Sequence, residues 1–176
     1  MSIVISLFEF AASANEPFAQ ASLGFIYLHG APPQVSANVT KAIDYFTAAA
    51  NQNSSEALWN LGMIFYEGYA TKSSAQDQEA LITIPKNFTK ALVYFHRAAL
   101  LGSWKAMYRF ALMLWQQEGV QTADCRSAIK YMKFVAEFHP IKFNLEHARI
   151  AFEMQHFHKS FILYSAMAEQ VLDNSI

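Results

Sequence analysis

The chain has 176 residues, 53% of them hydrophobic, so it is long and apolar enough to bury the core of one ordinary domain. Its 13 Lys and Arg nearly balance its 14 Asp and Glu, which leaves no basic field to attract nucleic acid. A single cysteine excludes an internal disulfide framework, and no apolar run reaches the roughly 18 residues of a membrane span.

The first segment, residues 1–14, predicts the tail of a helix. Residues 12–14, Ala-Ser-Ala, resemble the cleavage site of a signal peptide. Because Glu9 interrupts the apolar run and no Lys or Arg precedes it, a helix is the favoured interpretation. Leu7 and Ala11 match the end of a segment type that recurs along the chain.

Two helical segment types, A and B, alternate from residue 16 onward. Apolar residues recur in both at i, i+3, i+4, i+7 and i+8, the spacing of a helix with one buried face. Type A has a small residue at its centre, and these residues are Gly24, Gly62, Ala111 and Ala148. Type B follows K-A-x-x-Y-F-x-x-A-A, and its copies begin at Lys41, Lys90, Ser127 and Lys159. Small residues at fixed places let the paired helices approach closely.

The spacing between the two types predicts where insertions lie. The step from B to A is constant, fifteen residues from Ala42 to Ala57, and predicts a tight turn. The step from A to B varies, and its largest insertion, residues 71–87, predicts a surface loop. The predicted organisation is one solenoid over residues 1–176, with a partial helix B at 1–14 and helix pairs at 16–52, 54–102, 103–138 and 142–172.

The combined pattern A-x-x-x-L-G-x-x-Y/F…G and K-A-x-x-Y-F-x-x-A-A resembles the Sel-one-like repeat, a relative of the tetratricopeptide repeat. The resemblance implies an all-α, right-handed superhelix that acts as a protein-interaction scaffold. Repeat three departs from the family pattern with Ala111 in place of Gly, and repeat four departs further with Phe143 in place of the leading Ala.

A narrower resemblance covers residues 124–170, which contain D-C-x-x-A…V-A-E…Y-x-x-x-A-E-Q. This stretch is similar to the luminal adaptors of HRD-type ubiquitin ligases in endoplasmic-reticulum-associated degradation. The resemblance implies an endoplasmic reticulum lumen location, homodimers, and partners among a ligase subunit, degradation clients and lectin-type cofactors. Family members also carry a signal peptide, further repeats and usually a membrane anchor, so we expect this chain to be a fragment. Apolar termini without polar capping repeats also favour a homodimer.

Two other functions stay open. One is a generic signalling or assembly scaffold of the same repeat type in the cytoplasm. The other is a repeat-containing hydrolase, against which the lack of paired cysteines and of a nucleophile motif counts. A location in the secretory pathway is supported by three glycosylation sequons near predicted loops and turns, at Asn38, Asn53 and Asn87.

Several residues have side chains that could be reactive or bind a metal, but each has a structural interpretation. Cys125 lies near the start of a helix B without a neighbouring His to act as a base, which favours a packed thiol. Glu153, His156 and His158 lack the H-E-x-x-H spacing of a metal site and fit a solvated turn. We therefore expect no enzyme, no cofactor and no metal.

The predicted functional surface is the inner face of the solenoid. By analogy with tetratricopeptide repeats, it takes the helix A positions one, four and five residues after the small residue, and three and six before it. Aromatic and Met side chains there are of the types enriched at binding hot spots. The predicted residues are Trp59, Met63, Tyr66, Tyr108, Leu112, Trp115, Arg149 and Phe152. Packing within the superhelix or in a self-association interface is the alternative.

Overall fold

The computed structural model describes residues 2–72, 81–137 and 142–173. Residues 73–80 of the predicted insertion lie outside this part of the chain. The described residues form nine α-helices and two short strands. They are α1 (Ser2–Ser13), α2 (Pro17–His29), α3 (Val39–Asn51), α4 (Ser55–Glu67), β1 (Tyr69–Lys72), β2 (Leu81–Ile84), α5 (Phe88–Leu100), α6 (Trp104–Gln116), α7 (Cys125–Glu137), α8 (Lys142–Glu153) and α9 (Phe157–Asp173). The prediction of an all-α repeat fold is confirmed.

Each turn from a helix B to the next helix A in the first half of the chain has the same backbone geometry. The third residue after the last Ala takes a positive φ, at Asn15 (65°), Asn53 (62°) and Gly102 (88°). The amide of the following residue then donates to a carbonyl five residues earlier, as from Ser54 to Ala49 at 3.1 Å. This is the hydrogen-bond pattern of a Schellman cap, and it explains the constant fifteen-residue step.

The chain divides into two compact units, Met1–Ser103 and Trp104–Ile176. In the first unit, α2 packs on α3 and α4 packs on α5, while α1 packs on α2 and α3 on α4. The fully buried side chains of this unit come from both helix types, and they include Leu23, Phe46, Leu58, Leu61 and Phe95.

A Phe on helix B fills the space beside the small residue of helix A. A Cβ built on Gly24 would lie 2.7 Å from the Phe46 ring, and one built on Gly62 would lie 2.5 Å from the Phe95 ring. Only a glycine permits this approach without a shift of the neighbouring atoms. The glycines therefore fix which face of α2 and α4 meets its helix B and which face is left outside.

The second unit is packed differently at its end. Helix α7 packs on α6, and α9 packs on both α7 and α8, whereas α7 and α8 barely touch. The buried core includes Met113, Ile129, Met132 and Tyr164. Ser160, where other B helices have Ala, is fully buried and donates its hydroxyl hydrogen to the Ala148 carbonyl at 2.9 Å. In this unit α9, rather than the next helix A, covers α7.

The insertion of repeat two, which the sequence predicts to be a surface loop, contains a β-hairpin. β1 and β2 pair antiparallel, with Tyr69 opposite Ile84. The β-branched run of β2 accounts for the strand, because such side chains favour the extended backbone. The Tyr69 hydroxyl donates to the Leu28 carbonyl at 2.8 Å and so fastens the hairpin to the end of α2.

Within the described ranges, no helix has the length and continuous apolarity needed to cross a membrane.

Candidate protein-binding surface

The predicted residues of repeat two divide between packing and exposure. Trp59 and Tyr66 lie three residues before and four after Gly62, so they flank it along α4. Their rings pack near Phe95, with centroid distances of 5.2 Å for Trp59 and 6.3 Å for Tyr66. Both are half-buried, as is Met63. Trp59 and Tyr66 therefore help to hold α5 and offer only part of their surface outward.

In repeat three, the predicted residues contact α9. The Trp115 ring stacks on Phe161 at a centroid distance of 3.9 Å and an interplanar angle of 3°. The Tyr108 hydroxyl donates to Glu169 Oε1 at 3.0 Å. Leu112 is half-buried. Tyr108 and Trp115 thus both contact α9, a helix of their own unit. For these two residues the structure shows packing within the superhelix, the alternative to a binding role.

The environment of Tyr108 changes its acidity. Burial, and then the hydrogen bond to Glu169 and its negative charge, raise the pKa of Tyr108 from 10.0 to about 12. Loss of the phenol proton would leave two negative charges facing each other in a partly desolvated contact. The neutral phenol is therefore the form that links α6 to α9.

Repeat four contributes a charged and an aromatic position. The Arg149 guanidinium pairs with the Glu153 carboxylate one turn along α8, and both side chains are exposed. Phe152 is half-buried, and its ring centroid lies 5.9 Å from that of Phe157. Among the described residues no three His, Cys, Asp or Glu come together as metal ligands, and His156 and His158 are exposed.

Two of the three sequon asparagines are helix caps. Asn38 Oδ1 accepts from the Lys41 amide at 3.0 Å, and Asn87 Oδ1 accepts from the Lys90 amide at 2.9 Å. These bonds satisfy N-terminal amides of α3 and α5, which accounts for Asn there whether or not it is modified. The third, Asn53, is exposed in a turn between helices. Cys125 is half-exposed at the first residue of α7.

The sequence prediction missed the corresponding residues of repeat one. Phe18, Phe25 and His29 stand six before, one after and five after Gly24 on α2, and all three are exposed. The Phe25 and His29 rings lie 4.4 Å apart. The same positional rule, applied to Gly24, would have identified them.

Tandem helix pairs joined by Schellman turns, with a small residue of one helix facing a large residue of the other, define a helical-repeat protein. The Sel1 repeat family matches residues 17–54, 55–82, 81–103 and 104–137. The chain belongs to the Sel1 repeat family. Proteins built of these repeats are generally non-catalytic scaffolds for protein interaction, which is the class that the sequence predicted. No curated protein matches the sequence.

Two solved structures show the same fold. The Sel1 repeat protein from Oxalobacter formigenes aligns with a TM-score of 0.65 and 19% identity, over 94% of this chain and 63% of that one. The protein c5321, a protective antigen present in uropathogenic Escherichia coli strains and displaying an SLR fold, aligns with a TM-score of 0.57 and 19% identity, over 96% of this chain and 40% of that one. This chain spans less than two thirds of either neighbour.

Proposed function

We propose that this chain is the repeat region of an adaptor that links a membrane ubiquitin ligase to misfolded proteins in the endoplasmic reticulum lumen. The observation that carries the proposal is the pattern D-C-x-x-A…V-A-E…Y-x-x-x-A-E-Q over residues 124–170, which resembles such adaptors. A scaffold of this kind works by holding other proteins. Half-buried and exposed aromatic side chains on its A helices suit that role.

The three sequons support the luminal location. Asn53 is exposed, and Asn38 and Asn87 are half-exposed with the capping bond made by the amide oxygen. The amide nitrogen, to which a glycan is attached, is not the atom that makes this bond. Glycosylation is therefore compatible with the helix caps.

Expression of the whole protein in its own cells tests this proposal. We expect its electrophoretic mobility to increase after glycosidase treatment, and we expect a membrane ubiquitin ligase to co-purify with it. An unglycosylated protein found in the cytosol without a ligase would overturn the proposal and favour the second candidate, a cytoplasmic assembly scaffold of the same repeat type.

We also propose that the chain forms a homodimer. The resemblance to the luminal adaptors implies this state, and Ile3, Leu7 and Phe10 of α1 are exposed by 73%, 62% and 75%. Burial of these side chains in a second copy is favourable because apolar area is removed from water. Light scattering should report a dimer at micromolar concentrations. Leu7→Asp/Phe10→Asp should shift it to monomer, while the control Val93→Asp, at another exposed apolar position, should not; a monomer for the unmodified chain would refute the dimer.

A further inference from the structure

Helix α2 carries an aromatic stripe at the positions that the sequence assigns to the inner face of the solenoid. Phe18 and Phe25 are 63% and 51% exposed, and the exposed His29 packs its ring on Phe25. These residues are seven and four positions apart, so they lie above one another on one face of the helix. Large aromatic side chains lose the most by remaining in water, and such exposed rings mark surfaces that bind other molecules.

Helix α4 repeats this stripe with a different chemistry. The positions that correspond to Phe18, Phe25 and His29 are Glu56, Met63 and Glu67. Both glutamates are exposed and Met63 is half-buried. The repeat thus replaces the two outer residues of the stripe by carboxylates.

The two stripes point to the same side of the first unit. Gly24 of α2 and Gly62 of α4 each face a Phe of their own helix B, at 2.7 Å and 2.5 Å from a built Cβ. Helices α2 and α4 touch only slightly, as α7 and α8 do. Since equivalent faces of α2 and α4 meet their B helices, the two stripes face the same side of the unit. We define the acidic aromatic face by its six residues, which are Phe18, Phe25, His29, Glu56, Met63 and Glu67.

The charge of this face is negative. Neither α2 nor α4 contains Lys or Arg. The cations of α3 and α5 are held elsewhere: Lys41 and Lys90 lie over the rings of Tyr27 and Phe65, each 5.1 Å from the centroid. Arg97 donates to the Ala50 carbonyl at 3.1 Å. Lys86, just after β2, lines a surface pocket together with Glu67. The two carboxylates of the face outnumber this cation, so a ligand there meets net negative charge and aromatic rings.

We infer that the acidic aromatic face binds an extended peptide segment of a partner protein that carries Lys or Arg beside apolar side chains. This inference rests on the proposed role as a protein-binding scaffold and names the partner's chemistry. Phe18 and Phe25 are about 10 Å apart along α2, and three residues of an extended chain span about the same length. Glu56 and Glu67 are about 16 Å apart, or about five extended residues. The segment that fits therefore carries its apolar side chains and its cations within a stretch of about five to seven residues.

A phage-displayed library of random heptapeptides, selected on the whole chain, tests this inference. We expect enrichment of peptides with Lys or Arg flanking apolar residues, with binding that weakens as salt is added. The variant Glu56→Lys/Glu67→Lys should enrich acidic peptides instead. Phe18→Ser/Phe25→Ser should reduce the binding of the enriched peptides at least tenfold.

Matched controls separate the face from general effects of charge and polarity. Glu9→Lys/Asp44→Lys reverses two exposed carboxylates on B helices, and Phe134→Ser removes an exposed ring of α7. Neither control should change the selected peptides, and circular dichroism should show every variant folded. Failure to enrich peptides, enrichment without cations, or an unchanged selection by Glu56→Lys/Glu67→Lys would overturn the inference. The proposed adaptor role is judged separately, by glycosylation and ligase co-purification.

Discussion

Phe95 occupies the space that any side chain on Gly62 would need, since a Cβ built there would lie 2.5 Å from its ring. Gly24 and Phe46 stand in the same relationship one repeat earlier, at 2.7 Å. In repeat three the equivalent residues are Ala111 and Met132, and both are fully buried. In repeat three a longer and narrower Met thus replaces the ring where Ala replaces Gly, whereas repeat four combines Ala148 with the ring of Tyr164.

Gly62→Ala should destabilise the protein by about 1–3 kcal/mol, because the added methyl group must displace the Phe95 ring. The better helix propensity of Ala would offset at most about 1 kcal/mol. Gly62→Leu should cost more. Urea unfolding measures the difference, and a variant more stable than the parent would place Gly62 on an open surface.

Giving repeat two the Ala and Met of repeat three should relieve this clash. The double variant Gly62→Ala/Phe95→Met should be more stable than the sum of the two single changes predicts. A double-mutant cycle in urea measures the coupling. Strict additivity would mean that the two residues do not compete for the same space.

Asn87 should be replaceable by Asp but not by Ala. Its Oδ1 caps α5 by accepting from the Lys90 amide, and Asp can make the same bond. Asn87→Ala should therefore cost about 0.5–2 kcal/mol, and Asn87→Asp much less. Thr89→Ala is the matched control, since it removes the sequon at an exposed position and keeps the cap. Thermal unfolding of unglycosylated protein compares the three; equal midpoints for the Ala and Asp variants would exclude a capping role.

Tyr108 should make the second unit sensitive to high pH. Its pKa is raised in the folded state to about 12, from 10.0 when exposed, so folding favours the protonated phenol. The resulting stability is fully present below pH 10 and is lost as the pH rises through about 12. Tyr108→Phe should remove this loss, and Glu169→Gln should lower the pKa of Tyr108. Urea unfolding as a function of pH measures the first effect, and tyrosinate absorbance measures the second; identical titration curves for parent and Glu169→Gln would refute the link.

Asp124 should make the stability of the protein sensitive to low pH, as Tyr108 does to high pH. The hydrogen bonds from Ser127, through its side chain and then its backbone amide, lower the pKa of Asp124 below 3.8 at the start of α7. The contribution to stability is present above pH 3.8 and is lost as the pH falls through the lowered pKa. Asp124→Asn should keep the cap and weaken the pH dependence. Urea unfolding on both sides of pH 3.8 is the measurement, and an unchanged acid dependence would argue against this role.

The sequence predicts the helix pairs well because their signals are local. The steps from Ala42 to Ala57 and from Ala91 to Ala106 are equal because one turn geometry closes both. The sequence does not show whether Trp59 and Tyr66 face solvent or α5, since residues that flank Gly62 can contact the partner helix and still be partly exposed. The position of α9 depends on contacts such as Trp115 with Phe161, which no sequence period encodes. The hairpin strand at Leu81–Ile84 did carry a local signal, in its β-branched residues.

Side chains of repeat two donate hydrogen bonds to two helix ends of repeat one. The Leu28 carbonyl accepts from Tyr69, and the Ala50 carbonyl accepts from Arg97, 41 and 47 residues further along the chain. During synthesis the chain emerges from its N-terminus, so both side-chain donors are made after the helices whose ends they bind. Repeat one is thus completed by side chains of repeat two, and these two hydrogen bonds form only after repeat two has been translated.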